Sequence, residues 1–381
     1  MKAEVAFPAL ALAARTLKAY TTSPRWHTAT RLLYLRTHGD TLTIAATTGD
    51  DTAEVDLPGG YADGACAITP DTLIKTLTAM RPKGNAATAT VSLMAELDRL
   101  HLTVNTGPAV GLDAEATPPE HPARLPAMAA ARPVTTGPVA GWRDLVAGVG
   151  WAAGRDPSRP DLAVVRLHRD HPDTVLMVEA VDRYRVHRAR WGQPTGDRVD
   201  ARMPTAAAER AVKLLTACDP HGQLHVDTND EYVWWCTEVV RTCARTTSGW
   251  FPDLEKLREE VTGHASAGYT ADRQQLHAAL DTAAALAATT RHGILRIQTA
   301  TDSAAVTVIV QADSGAFLYH TPVPVRAAHG PAHTLAFNAG FARQAVAFLD
   351  GPTITVAADI GQLAVYLEGT DRHAIVMQTA G

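Results

Sequence analysis

The chain has 381 residues, 46% hydrophobic and 20% charged, with a net charge of −5. That length exceeds one ordinary hydrophobic core and implies two or three domains of about 100–150 residues, while the apolar content excludes an intrinsically disordered chain. The acidic balance also argues against a protein that holds nucleic acid by massed positive charge.

The chain opens MKAEVAFPALALAARTLKAY, an early Lys followed by a short apolar run. Glu4 and Pro8 interrupt the run, and Arg15 and Lys18 end it, far short of the roughly 18 apolar residues of a membrane span. A strand and a helix near Leu10–Tyr20 of a cytoplasmic protein, with no membrane partner, are expected. A hairpin follows at Leu32–Leu35 with Leu42–Ala45. A second helix is expected in AITPDTLIKTLTAM, from Ala67, followed by alternating strands at Val91/Leu93 and Leu100/Leu102/Val104.

The same succession then recurs. Helices are expected near Val139–Trp151 and Arg273–Leu286, with hairpins at Val164–Leu167/Val175–Val178 and Ile294–Ile297/Val306–Val310. The counterparts of the second helix are RMPTAAAERAVKLL, from Arg202, and AFNAGFARQAVAFL, from Ala336. Pro70, Pro204 and Asn338 keep one interval, 134 residues from 70 to 204 and 134 from 204 to 338. Around them Leu73, Ile74, Leu77 and Met80 match Ala207, Ala208, Ala211 and Leu214, and then Phe341, Ala342, Ala345 and Phe348. This i, i+1, i+4, i+7 spacing is one face of an amphipathic helix, and proline suits a first helical turn, where a missing N–H costs little. Strands at Leu224/Val226, Tyr232/Trp234, Ile354/Val356 and Leu363/Val365/Leu367 alternate at period two, as sheets buried on one face do.

A period of about 130 residues is a whole domain and not a solenoid unit. The fold class expected is therefore α+β, three tandem copies of a domain with two helices and about eight short strands. Turn formers collect around 118–133 and 265–273, which sets the boundaries at 1–125, 126–262 and 263–381.

Cys66, Cys218, Cys236 and Cys243 include no C-x-x-C pair and no histidine at zinc spacing, and His168/His171 and His329/His333 have no third ligand nearby. Neither a metal nor a cofactor is expected. The phosphate-binding G-x-x-x-x-G-K-[ST] and G-x-G-x-x-G patterns and the catalytic G-x-S-x-G and H-E-x-x-H patterns are missing from the sequence.

One stretch resists a bland reading. In MVEAVDRYRVHRARW (177–191) an apolar strand runs into Asp182, Arg183, Tyr184 and Arg185. A solvated turn, a small ion-pair network and a binding site all fit that pattern. VEAVDRYRVHRARW resembles the A-T-D-[GR]-[HFY]-R-L stretch of the bacterial DNA sliding clamps, the beta subunits of DNA polymerase III, in its actinobacterial D-R-[FY]-R form. SGWFPDLEKL (248–257) is similar to that family's G-x-[FY]-P-[DN] segment, and LAFNAGFARQAVAFLDGPTITVAADIGQLAVYLEG…HAIVM resembles its C-terminal region. The resemblance covers essentially the whole chain.

It implies a homodimeric ring, closed head to tail, that encircles duplex DNA as a non-catalytic processivity factor. Such a ring is opened by a clamp loader and tethers the polymerase III alpha subunit and other proteins bearing clamp-binding motifs, in a nucleoid-associated cytoplasmic setting. The implied peptide pocket comprises Leu162, Val181, Arg183, Tyr184, Arg185, Val186, Pro252, Leu257, Ile375 and Met377. Asn338 and Phe341 either join it or act as helix cap and core. The implied DNA-facing cations are Arg25, Arg159, Arg210, Lys213, Lys75 and Lys83. The implied dimer contact sets Val110 and Leu112 against the helix carrying Ala284, Ala285 and Leu286.

The chain departs from the family at its end, where Gln378-Thr379-Ala380-Gly381 stand in place of P-x-R-L after the methionine. That departure implies a divergent or second-copy clamp, for example one tolerant of an inhibitor aimed at the usual pocket. Two further readings stay open: a monomeric clamp-like binding protein, and an enzyme with its site near Asp182.

Overall fold

A computed structural model describes residues 1–21, 28–82, 86–96, 98–104, 109–116, 123–128, 131–156, 158–171, 174–192, 197–301, 303–359 and 364–379. The helices among them are α1 (Phe7–Leu17), α2 (Pro70–Ala79), α3 (Val139–Gly150), α4 (Thr205–Leu215), α5 (Leu254–Gly263), α6 (Arg273–Ala287) and α7 (Ala339–Phe348). None is long and apolar enough to cross a membrane.

The constant interval of 134 residues falls on one structural position. Pro70 begins α2, Pro204 immediately precedes α4, and Asn338 caps α7, its Oδ1 accepting from Phe341 N at 3.2 Å. The first helix of each repeat is placed as the periodicity predicts, except that α1 starts three residues earlier, at Phe7, and gives way to a 3₁₀ turn at Lys18. The sequence reading missed α5.

The chain gathers into two compact units. The first comprises Met1–Asp144, Thr195–Asp197 and Ala206–Thr247, and the second Leu145–Pro194, Arg198–Thr205 and Ser248–Gly381. In the first unit, a five-stranded antiparallel sheet ends on Val110–Asp113. A nine-stranded sheet places Leu33–His38, Thr41–Thr47 and Asp51–Pro58 beside Val240–Arg245, Tyr232–Cys236 and Gln223–Thr228. Val55 lies opposite Val240 where the two sets of three meet. The apolar core of this unit includes Leu10, Leu17, Leu35, Ile44, Leu73, Leu77, Leu102 and Leu214.

In the second unit, a twelve-stranded antiparallel sheet repeats that construction one repeat later. Val164–Arg169, Leu176–Val181 and Arg185–Trp191 meet Arg372–Met377, Ala364–Glu368 and Thr353–Ala358, with Val186 opposite Ile375. The remainder of this sheet contains Phe317–His329, a strand of 13 residues. Its first part pairs with Ala305–Gln311 and its last part with Ala267–Asp272.

His187 shows how tightly this unit is filled. Its ring is fully buried, donates from Nδ1 to the Gly148 carbonyl at 2.8 Å, and stacks on Phe348 with 4.5 Å between ring centroids. A Cβ on Gly148 would stand 2.8 Å from Phe348 Cδ2. Gly148→Ala, ordinarily favourable inside a helix, is therefore expected to cost about 1–3 kcal/mol through overpacking. Chemical denaturation of the two proteins side by side measures it.

Candidate peptide-binding pocket

The 177–191 stretch forms two strands joined by a tight turn, and Asp182 organises the turn. Its Oδ1 accepts from Tyr184 N at 2.7 Å and Arg185 N at 2.9 Å, and its Oδ2 accepts from Arg185 Nε at 3.0 Å. This is the Asx geometry that short polar side chains give to turns. It fixes two side chains by different means. Arg185 folds inward, its guanidinium 4.2 Å from the centre of the Phe341 ring and hydrogen-bonded to Gln344. Tyr184 is left 55% exposed, its ring tilted toward Phe341 with 6.1 Å between ring centroids. Arg183 also points to solvent, 3.9 Å from Asp156. The 182–185 run is thus a turn and an ion pair, and it also places aromatic and cationic groups at the rim of an apolar site.

That site follows from sheet alternation, because residues opposite one another across strands share a face. Val181 faces Val186, Val186 faces Ile375, and Ile375 faces Tyr366. The resulting apolar row is covered by α5 and the segment before it. Leu162, Val164, Val181, Val186, Phe251, Leu254, Val261, Ala364, Tyr366 and Ile375 form one buried cluster, with Leu257 and Met377 partly buried against it. Six residues expected in the pocket, Leu162, Val181, Val186, Leu257, Ile375 and Met377, therefore come together. Pro252, half-buried, lies in the segment leading into α5. Asn338 and Phe341 sit beside the Arg185 side of the turn, Asn338 as helix cap and Phe341 under the guanidinium. The last strand is fastened there too, Met377 N donating to Tyr184 O at 2.7 Å and Thr379 N to Ala336 O at 3.0 Å.

α5 begins where Asp253 caps it, accepting from Glu255 N at 3.1 Å and Lys256 N at 3.0 Å. The sequence carries a signal for this helix: an Asp cap followed by apolar residues at 254, 257 and 261. Phe251, just before the cap, lies under the Arg166 guanidinium, 5.1 Å from its ring centre. Trp250, 63% exposed, is a further aromatic that the sequence reading passed over.

Beside the apolar row runs a charged one. Arg166 faces Glu179, Glu179 faces Arg188, Arg188 faces His373, and His373 faces Glu368. Glu179 is 1% exposed and accepts from Arg188 Nε at 2.6 Å and Arg166 Nη1 at 3.4 Å. Burial would raise the Glu255 carboxyl, but hydrogen bonds from Arg258 and Arg188 outweigh it and hold the group at about 2. Asp200 is likewise held at about 2, the pull of Arg166 and Arg202 exceeding the effect of burial. Burial, reinforced by Arg188 and Arg190, pushes His373 down to about 3. Burial, with Arg185 adding to it against the Gly148 hydrogen bond, pushes His187 down to about 4.

The cations expected to face DNA are differently placed. Arg159 forms a two-pronged pair with Asp161 at 3.1 and 2.9 Å. Arg210 is paired with the buried Asp51. Lys75 and Lys213 are exposed on α2 and α4. Arg25 and Lys83 lie outside the described residues. Val110 and Leu112 are half-buried on an edge strand, Ala285 is exposed, and Ala284 and Leu286 are half-buried on α6. Among the described residues no cluster of three His, Cys, Asp or Glu side chains has the arrangement of a metal site.

The full length of the chain matches solved structures of sliding clamps. These include the DNA polymerase sliding clamp of Bacillus subtilis, with a TM-score of 0.87 and 13% identity over 100% of this chain and 99% of that one. The DNA polymerase III beta subunit of Thermotoga maritima matches at 0.81 and 15%, over 100% and 99%. A sliding clamp from Pseudomonas aeruginosa bound to griselimycin matches at 0.82 and 14%, over 100% of both chains. The chain has the sliding-clamp fold from end to end. No family model and no curated protein matches the sequence.

Two predictions follow from this geometry. Asp182→Ala removes three accepted hydrogen bonds and is expected to cost about 1–3 kcal/mol, while Asp182→Asn, which keeps an acceptor toward the two amides, costs less; urea denaturation ranks them. Folding also leaves His187 and His373 less basic than the usual 6.5. The unfolded chain therefore binds more protons, so stability is fully present above about pH 6.5 and falls as pH drops through about 4 for His187 and about 3 for His373. The decline should be shallower in His187→Asn, and identical slopes in the two proteins would contradict the assignment.

Proposed function

We propose that this chain is a DNA sliding clamp: a non-catalytic processivity factor whose two copies close head to tail around duplex DNA. The observation that carries the proposal is the apolar cluster of Leu162, Val181, Val186, Leu257, Ile375 and Met377 beside the Asp182 turn, in a fold shared end to end with sliding clamps. A Leu or Phe of an extended partner segment would bury in this cluster, while Tyr184 and Arg183 at the rim meet its polar part. The partners would be the polymerase III alpha subunit and other proteins with short clamp-binding motifs, and a clamp loader would open the ring. Docking raises the polymerase's effective concentration at the primer end. A topological hold also suits a chain of net charge −5, since encirclement does not depend on dense phosphate neutralisation.

Repetition supports ring closure. The sheet junction made by Asp51–Pro58 with Val240–Arg245 recurs between Arg185–Trp191 and Arg372–Met377. The third copy of the junction would need Phe317–Pro324 and Val110–Asp113. Among the described residues the first of these pairs along its length with Ala305–Gln311 alone, and the second with Arg99–Val104 alone. Phe317 and Leu318 are 62% and 43% exposed on that strand. Strand addition between two chains satisfies both edges in a heterologous contact that closes by two-fold symmetry. In this reading the chain is three domain copies, 1–125, 126–262 and 263–381, and Lys75 and Lys213 contribute positive charge toward DNA in a nucleoid setting.

The terminus favours a specialised form. Met377 and Thr379 pin the tail backbone, but Gln378 and Thr379 offer neither the apolar nor the cationic side chain usual in the resembled family. A divergent or second-copy clamp with weaker affinity for pocket-directed inhibitors fits this. The enzyme reading has less support, because all three hydrogen bonds accepted by Asp182 serve the turn.

After loading, the protein is expected to remain on circular DNA and to run off the same DNA once linearised, with light scattering giving a dimer. Equal loss from both forms, by a monomer, would overturn the proposal. Leu318→Asp is expected to yield monomers and to abolish retention on circles, leaving the pocket cluster intact.

A further inference from the structure

We propose that Glu255 is a positioning residue for the apolar pocket: gripped by Arg188 from the sheet and by Arg258 from its own helix, it fixes the first turns of α5, and with them Leu254 and Leu257, against the pocket floor. The proposal rests on the peptide-docking reading above.

α5 needs such a grip. It is ten residues long, LEKLREEVTG, and buries only Leu254 and Val261, with Leu257 partly covered. A helix of that length has little stability of its own and depends on what it packs against. Next to its first turn the packing is open, where a cavity of about 760 Å³ is lined by Arg166, Glu179, Arg188, Glu255, Arg258 and His373 among others. Apolar contact therefore cannot close that side.

A relay of ion pairs spans it instead. Arg166 and Arg188 both hold the buried Glu179, and Arg188 reaches on from Glu179 to Glu255. Arg258, one turn further along α5, donates to Glu255 Oε1 from Nε at 2.8 Å and from Nη2 at 2.5 Å. Arg188 is fixed from below by a group that is 1% exposed and cannot follow the helix if the helix shifts. A link to so rigid a point sets position more than it adds stability, which is the best-attested use of a buried charge network. Because Leu257 lies two residues beyond Glu255, any drift of the first turn changes the width of the pocket.

The test uses the full chain with Glu255→Ala, Glu255→Asp and, as a control, the exposed Glu259→Ala. Hydrogen exchange resolved by mass spectrometry reads α5. Fluorescence anisotropy reads binding of a labelled synthetic peptide with a Leu-Phe anchor in a polar sequence. Glu255→Ala is expected to speed exchange within 254–263 with exchange elsewhere unchanged, and to weaken the peptide roughly five- to tenfold. Glu255→Asp should recover part of both effects, and Glu259→Ala should cause neither. Should Glu255→Ala unfold the chain, Glu255→Gln is read in the same way. Wild-type exchange in α5, undiminished peptide affinity, or equal effects from Glu259→Ala would each overturn the proposal. If the wild-type chain binds no peptide, the docking reading fails, and the exchange of α5 still decides whether Glu255 holds the helix.

Discussion

The interaction on which this architecture depends is the lateral pairing of strands far apart in sequence. Asp51–Pro58 pairs with Val240–Arg245, and Arg185–Trp191 pairs with Arg372–Met377. Each pairing joins two three-stranded sets by backbone hydrogen bonds and so removes two sheet edges that would otherwise invite aggregation. It also places Val55 against Val240 and Val186 against Ile375, so that apolar rows continue across the join. The helices then need only small apolar faces to pack, which accounts for Ala207, Ala208 and Ala211 standing where the first repeat has Leu73, Ile74 and Leu77. Volume and alternation are what such a fold requires, and cores tolerate wide substitution within those limits. A shared fold at 13–15% identity is consistent with that latitude.

The legible parts of the chain were those governed by local periodicity. The paired helices and the hairpins 33–38/41–47, 164–169/176–181 and 294–299/305–311 express spacing within a dozen or so residues, and the 134-residue interval is the recurrence of those local patterns. What the sequence hid was non-local or atypical. α5 is short and dominated by Glu, Lys and Arg, so its thin apolar face was overlooked despite the Asp253 cap. Phe317 and Leu318 sit in an ordinary-looking strand, and only the sheet order reveals that their outer edge pairs with no other strand among the described residues. Arg166, Glu179 and Arg188 carry no local signal of their pairing, because it crosses three strands.

The pocket residues were legible by a different route. Nothing in the period-two pattern marks Val186 or Ile375 as other than core. Their grouping came from resemblance to motifs, and the geometry supplies the physical reason for it: a turn fixed by Asp182 on one side, a strand register on the other. No motif assigned a role to Arg188 or Glu255, and the 378–381 tail departs from the resembled family. Their roles have to be argued from contacts alone.

The terminal strand Arg372–Met377 has two duties at once. Its backbone forms the junction with Arg185–Trp191, and its side chains Ile375 and Met377 form the floor and rim of the proposed pocket. A partner seated there would rest on the seam between the two sets of strands, so its binding energy would be linked to the seam's integrity. Binding to the folded state alone stabilises that state by mass action. Occupancy of the pocket would therefore protect the Val186–Ile375 pairing most directly, and it would protect α5 only as far as Glu255 holds the helix to the same floor.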